Sequence, residues 1–179
     1  MSAELRAWWG WHRLSDNWAR QLVERAALQP GDLVLDIGAG TGAITRHLVA
    51  TGARVIAVEA HPRRANELKR MFARRNVKVV SADAADLRLP GRPFHVVANP
   101  PFGISTALLR RLLSPRSRLV RAELIVPRQV AARWAAGRAP GAQRWMHTFT
   151  ASAIAYVPRS AFRPPPPHDA ALLSIVRRR

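Results

Sequence analysis

The sequence predicts an α/β fold with a central, mostly parallel seven-stranded sheet and helices on both faces. Three observations carry this. Short apolar runs alternate with helical patterns along most of the chain, the order that builds parallel sheets. With 179 residues there is enough chain to bury one such core and not enough for a second domain. A glycine-rich turn, Asp36-Ile37-Gly38-Ala39-Gly40-Thr41-Gly42, ends the first apolar run and opens a helical pattern, the strand, loop and helix arrangement of nucleotide-cofactor sites.

Taken in order, residues 1–14 are rich in tryptophan and arginine. Trp8, Trp9, Trp11 and Trp18 stand among Arg6, His12 and Arg13, a mixture that suits stacking on unpaired bases or clamping onto the domain. A helix is expected from Ser15 or Asp16 as N-cap, with Trp18, Leu22, Val23 and Ala26 on one face and Gln29-Pro30-Gly31 as its stop. The run Asp32 to Ile37 predicts a strand, the glycine loop a turn, and Ile44, Leu48 and Val49 the apolar face of the next helix. Strands follow over Arg54–Val58, Val77–Val80 and Phe94–Ala98, with a helix over Pro62–Arg74. Ser105–Leu113 reads as a helix, Leu119–Val126 as a strand and Gln129–Ala136 as a short helix stopped by Gly137. Thr148–Val157 and Ala170–Val176 predict two final strands, an antiparallel hairpin at one edge of the sheet. Four prolines after Phe162 form a rigid connector between them.

Charge narrows the function classes. Of 29 basic residues only Lys69 and Lys78 are lysines, against 11 acids, a formal net charge of +18. Arginine's planar fork matches phosphate and stacks on bases, so the balance points to a nucleic-acid partner and salt-dependent binding. With no cysteine, disulfides and thiolate metal sites are excluded, and the six histidines lack ligand spacing, so no metal is expected. No run suits a membrane span or secretory leader, which makes a cytoplasmic protein without membrane contact the expectation.

The candidate site collects at the carboxyl ends of four successive strands. Asp36, Glu59, Asp83 and Asn99 each end one apolar run, so a parallel sheet delivers all four to one edge. Glycines at 38, 40 and 42 let backbone approach a ligand, and Thr41 or Gly42 is expected to leave N–H groups pointing into the site. The acid after the second strand suits ribose hydroxyls and the one after the third an adenine amino group. Gly38, Gly40 and Ala43 also match a dinucleotide spacing. Asn99-Pro100-Pro101-Phe102 adds a side-chain amide, a fixed carbonyl and an aromatic face. Asn99 Oδ1 and the Pro100 carbonyl can accept both hydrogens of a planar exocyclic amine while Phe102 stacks on its ring.

With the glycine loop, Glu59, Asp83, Asn99 to Ser105, and Tyr156-Val157-Pro158 leading to Phe162, the sequence resembles the S-adenosylmethionine-dependent methyltransferases. More specifically, it resembles the Erm branch of the rRNA adenine N6-dimethyltransferase family, from about Ser15 to Val176. The resemblance implies a Rossmann-like class I methyltransferase with residues 15–179 as catalytic domain, and S-adenosyl-L-methionine as cofactor. It implies cofactor contacts from Asp36, Gly38, Gly40, Gly42, Glu59, Asp83, Ala84 and Asn99. Asn99 and Pro100 would hold the target amine, and Phe102 and Phe162 would sandwich the flipped adenine. Arg128, among the arginines clustered between 110 and 128, is assigned to the RNA. The expected partner is 23S rRNA, methylated at an adenine of the peptidyl-transferase loop with resistance to macrolides, lincosamides and streptogramin B, by a monomeric enzyme.

Three departures accompany the resemblance. Trp11-His12-Arg13-Leu14 replaces a glutamine-asparagine-phenylalanine-leucine motif, Pro127-Arg128-Gln129 replaces a glutamine-lysine-glutamate pattern, and the family's C-terminal helical domain is not present in the sequence. The tryptophans and the arginine excess are expected to compensate in part, with looser choice among neighbouring adenines. Read without the resemblance, the acceptor pair also suits DNA adenine or a protein arginine or glutamine side chain. A non-catalytic RNA-binding domain and a nicotinamide dehydrogenase complete the alternatives, although Tyr156, the single tyrosine, leaves the latter without a tyrosine-lysine pair.

Overall fold

The structure, a computed structural model, describes residues 12–84 and 86–178. Trp8, Trp9 and Trp11 lie outside the described residues, while Trp18 packs partly buried against the core.

Among the described residues, nine strands and six α-helices follow in chain order. The strands are β1 (Arg13–Leu14), β2 (Leu33–Ile37), β3 (Arg54–Glu59), β4 (Val77–Ser81), β5 (Phe94–Ala98), β6 (Leu119–Pro127), β7 (Phe149–Val157), β8 (Phe162–Arg163) and β9 (Ala170–Arg177). The helices are α1 (Asp16–Ala26), α2 (Thr45–Ala50), α3 (Pro62–Met71), α4 (Ser105–Leu112), α5 (Arg128–Ala135) and α6 (Ala142–Trp145). Seven strands form one sheet in the order β4-β3-β2-β5-β6-β9-β7. The first five are parallel, and β9 enters antiparallel to both β6 and β7, so the predicted terminal hairpin closes that edge.

The period-two alternation of β2 explains the layering. Val34 joins Leu22, Leu48, Val55 and Val97 under α1 and α2, while Leu33 and Leu35 join Phe94, Val96 and the leucines of α4 on the other face. Leu68 and Phe72 bring α3 onto Ala57. Strand order reverses between β2 and β5, where sequence-distant neighbours pair, and a crevice opens outside their carboxyl ends.

The two-stranded ribbon of β1 and β8 was absent from the expected elements. Arg13 pairs with Arg163 and Leu14 with Phe162, antiparallel. The Ser15 N–H donates to the Ala161 carbonyl at 2.8 Å, and His12 Nδ1 hydrogen-bonds the Pro164 carbonyl at 2.9 Å. Two-residue strands some 150 positions apart leave no periodicity to read. The ribbon straps the start of the chain across the crevice beside Asn99.

Candidate functional site

A cleft of about 300 Å³ lies over the β2/β5 reversal and is lined by His12, Asp36, Gly38, Glu59, Asp83 and Asn99, among others. The four strand-end residues that the sequence singles out therefore do share one crevice. Each arrives there differently.

Asp36, the penultimate residue of β2, is almost completely buried. Its Oδ2 accepts a hydrogen bond from Thr45 Oγ1 at 2.6 Å, while Oδ1 is buried with no partner. Burial pushes its carboxyl up to about 7, and the nearby Glu59 charge adds to the rise against the hydrogen bond from Thr45. An orphaned acceptor on a cleft-lining residue fits a donor on a bound ligand.

Glu59 ends β3 and is held by three donors. Oε2 accepts from the Gly40 N–H at 2.8 Å, and Oε1 accepts from the His61 N–H at 2.8 Å and from Arg64 at 2.9 Å. A carboxylate offers about four lone-pair sites, so roughly one remains for a ligand hydroxyl. The acid that suits ribose is thus also the clamp that shapes the glycine loop.

The loop itself differs from the simple expectation. Gly38 and Ala39 N–H groups donate to the Val58 carbonyl, and the Gly42 N–H donates to the Ala39 carbonyl. Gly42 is therefore turned inward: a Cβ there would meet the Phe72 ring at 3.1 Å, so this glycine serves packing against α3. Neither Gly40 nor Gly42 lines the cleft; Thr41 and Ala43 do. Gly38 does reach it, at φ +78°, and a Cβ would meet Pro101 Cδ at 3.1 Å and Pro100 Cα at 3.4 Å. The loop after β2 and the turn after β5 thus touch at a residue that has no side chain.

Asp83 and Ala84 follow β4 at the cleft's far end, Asp83 exposed and Ala84 buried. Asn99 stands directly after β5. Its Nδ2 donates to the His12 carbonyl at 2.8 Å, and Oδ1 is buried without a partner. Since a carbonyl only accepts, this bond directs the amide oxygen away from the ribbon. Pro100 is buried, and its carbonyl has no donor among the described residues. Two consecutive residues thus each carry an acceptor without a partner among the described residues. Phe102 is partly exposed in a short 3-10 turn beside them.

The aromatic sandwich is not preformed. Phe102 and Phe162 meet edge to face at 6.2 Å between centroids and 84° between planes, and Phe162 is only 2% exposed. No base fits between rings in that contact, because Phe162 is packed into the core with Leu14 and Val157. The His12 ring flanks Phe102 instead, at 6.0 Å. Arg128 also lies apart: it is exposed at the start of α5, beside Tyr156 and Asp169 in a separate shallow cleft.

Thr45, Arg64 and Ile104 complete the neighbourhood without a sequence signal strong enough to single them out. Thr45 reads as an ordinary helix-start threonine, and Arg64 as one of many arginines, until the fold places them against Asp36 and Glu59.

The family model described as Ribosomal RNA adenine dimethylase matches residues 12–179. Mycinamicin-resistance protein MyrB of Micromonospora griseorubida is 37% identical over 94% of this chain and 56% of its own length. Ribosomal RNA small subunit methyltransferase A of Thermosynechococcus vestitus is 33% identical over 91% of this chain and 68% of its own. Among solved structures, the 23S rRNA methyltransferase ErmE superposes with a TM-score of 0.82 at 28% identity, covering 90% of this chain and 68% of that one. The chain thus spans little more than half to two thirds of the length of these relatives.

Proposed function

This chain belongs to the ribosomal RNA adenine dimethylase family, and from that premise we propose that it transfers methyl from S-adenosyl-L-methionine to the N6 amino group of an adenine in 23S rRNA. One observation carries the reading: the buried Asn99 Oδ1 lacks a partner while its amide nitrogen is tied to the His12 carbonyl.

The cofactor, when bound, supplies an electrophilic methyl group on a sulfonium. Asp36, Gly38, Glu59, Asp83 and Ala84 line the cleft that would hold it. Glu59 keeps one lone pair for a ribose hydroxyl, and the Asp36 acceptor takes a ligand donor at the glycine loop. The N6 lone pair of adenine is conjugated into its ring, which makes the amine a weak nucleophile. Asn99 Oδ1 and the Pro100 carbonyl each accept one amine hydrogen, favouring a pyramidal nitrogen with its lone pair aimed at the methyl. Neither group removes a proton, so the proton lost from N6 leaves to solvent after transfer. Phe102 offers a ring face to the extruded base, offsetting part of the unstacking cost of a few kcal/mol.

The 23S target, with macrolide, lincosamide and streptogramin B resistance as its consequence, is favoured by the likeness to the resistance protein MyrB and to ErmE. The relative named as a small-subunit methyltransferase supports a second reading, an adenine of the small-subunit RNA. Labelled S-adenosylmethionine offered in parallel with 16S rRNA, 23S rRNA, DNA and a basic protein distinguishes them. Label confined to 23S rRNA as N6-methylated adenine supports the first; label in 16S rRNA, DNA or protein overturns it.

A further inference from the structure

We propose that Arg13 and Arg163 form a two-pronged clamp for one RNA phosphodiester at the mouth of the acceptor site. The proposal rests on the reading above and adds the subsite that seats the backbone of the nucleotide entering the cleft.

The two arginines are cross-strand partners in the β1/β8 ribbon. Directly opposed side chains lie within about 5.5 Å at Cβ, and like charges in that position destabilise an antiparallel pair. Among the described residues nothing relieves the repulsion: both arginines are exposed, and neither guanidinium has a hydrogen bond or ion pair there. The ribbon nevertheless holds its register. Leu14 and Phe162 are buried on its inner side, Ser15 bonds Ala161, and His12 bonds Pro164. Two arginine side chains thus project from directly opposed backbone positions that are pinned at both ends. A tetrahedral anion with oxygens for both forks would turn repulsion into charge-assisted binding.

Position identifies the anion. One residue before Arg13, the His12 carbonyl holds the Asn99 amide; one residue before Arg163, Phe162 contacts Phe102. The clamp therefore sits next to the acceptor groups. Arg13 touches the rim of the cofactor cleft, but Arg163 is not among its lining residues, so the shared anion lies outside that cleft. A nucleotide whose base enters toward Asn99 carries its phosphodiester past this rim. The alternative anion, the cofactor's carboxylate, becomes an outcome of the test.

The test measures affinity for a protein-free 23S rRNA fragment against salt, with cofactor affinity by calorimetry and thermal stability alongside. The variants are Arg13→Ala, Arg163→Ala, Arg163→Glu and the double change R13Q/R163Q. Arg74, exposed beyond α3 at the opposite end of the sheet, provides a single-charge control as Arg74→Ala. Each alanine variant is expected to lose about tenfold in RNA affinity, and the double change to lower the salt slope by about 0.7 to 1, the share of one phosphate. Arg163→Glu is expected to bind RNA more weakly than Arg163→Ala while melting no lower than wild type, because it converts a repelling pair into an attracting one. Cofactor affinity stays unchanged throughout.

RNA affinity and salt slope within twofold of wild type overturn the clamp, as does an equal loss in Arg74→Ala. Loss of cofactor affinity with RNA binding intact assigns the pair to the carboxylate and also overturns it. Methyl transfer is scored separately: a wild type that binds RNA through these arginines but methylates no rRNA adenine refutes the proposed reaction and leaves the clamp standing.

Discussion

Asn99 donates its side-chain amide to the backbone carbonyl of His12 at 2.8 Å, across 87 residues of sequence. The bond fixes the orientation of the amide and ties His12 to the residue proposed to hold the target amine. Asn99→Asp is expected to reverse this, setting a carboxylate oxygen against a carbonyl oxygen. The ribbon should loosen, seen as faster amide hydrogen exchange at Leu14 and Ser15, with methyl transfer down at least a hundredfold. Unchanged exchange in that variant would show that the His12 contact does not fix the strap.

Gly38 is required twice, by its positive φ and by its contact with the proline turn. Gly31 supplies the comparison, since its φ is +88° with nothing near the missing Cβ. Both alanine variants carry backbone strain of about 1 kcal/mol. Only Gly38→Ala should also displace Pro101 and Asn99, giving the larger fall in melting temperature and a loss of transfer that Gly31→Ala does not share. Equal activity in the two variants would contradict the contact.

Asp36 sets a pH dependence of known sign. Its carboxyl is raised from 3.8 to about 7 in the folded protein, mainly by burial. Between those values the unfolded chain releases its proton first, so folding loses stability as pH rises from about 4 to 7, by up to about 4 kcal/mol, and is flat above. Asp36→Asn removes the dependence, so the stability difference between variant and wild type should grow across that window in urea titrations. A cationic ligand group beside Asp36 lowers its pKa, so cofactor binding near pH 6 should release a fraction of a proton, measurable by calorimetry in two buffers.

Arg64 holds Glu59 at 2.9 Å, so it would both steady this carboxylate and compete with the proposed ribose hydroxyl for it. The steadying role should dominate, because the salt bridge is largely shielded from water and Glu59 holds the Gly40 N–H as well. Arg64→Met is expected to weaken cofactor binding about tenfold with RNA affinity unchanged. Tighter cofactor binding in this variant would mean that the arginine is chiefly a competitor.

Much of this architecture is legible in the sequence, and the exceptions have physical causes. Strands such as β2 and β5 announce themselves because their faces are buried on both sides, and Asp36, Glu59, Asp83 and Asn99 because each stands at or just beyond the carboxyl end of an apolar run. The roles of the glycines are less legible: only the fold shows that Gly42 packs on Phe72 and that Gly40 acts through Glu59. The Phe102 and Phe162 pair has the right residue types but an edge-to-face geometry, which depends on core packing around Phe162. The ribbon of Arg13 and Arg163 is invisible in sequence because its register is set by buried neighbours at Leu14 and Phe162.

The Asn99 and Pro100 acceptors are proposed to orient an adenine amine for methyl transfer. The direct measurement compares wild type with Asn99→Ala, using labelled S-adenosylmethionine and protein-free 23S rRNA, with nucleosides resolved by mass spectrometry and cofactor binding followed by calorimetry. The expected result is N6-methylated adenosine with wild type, none above background with Asn99→Ala, and cofactor affinity within a few-fold between them. Transfer by Asn99→Ala within tenfold of wild type, or label on any atom other than N6, would contradict the account.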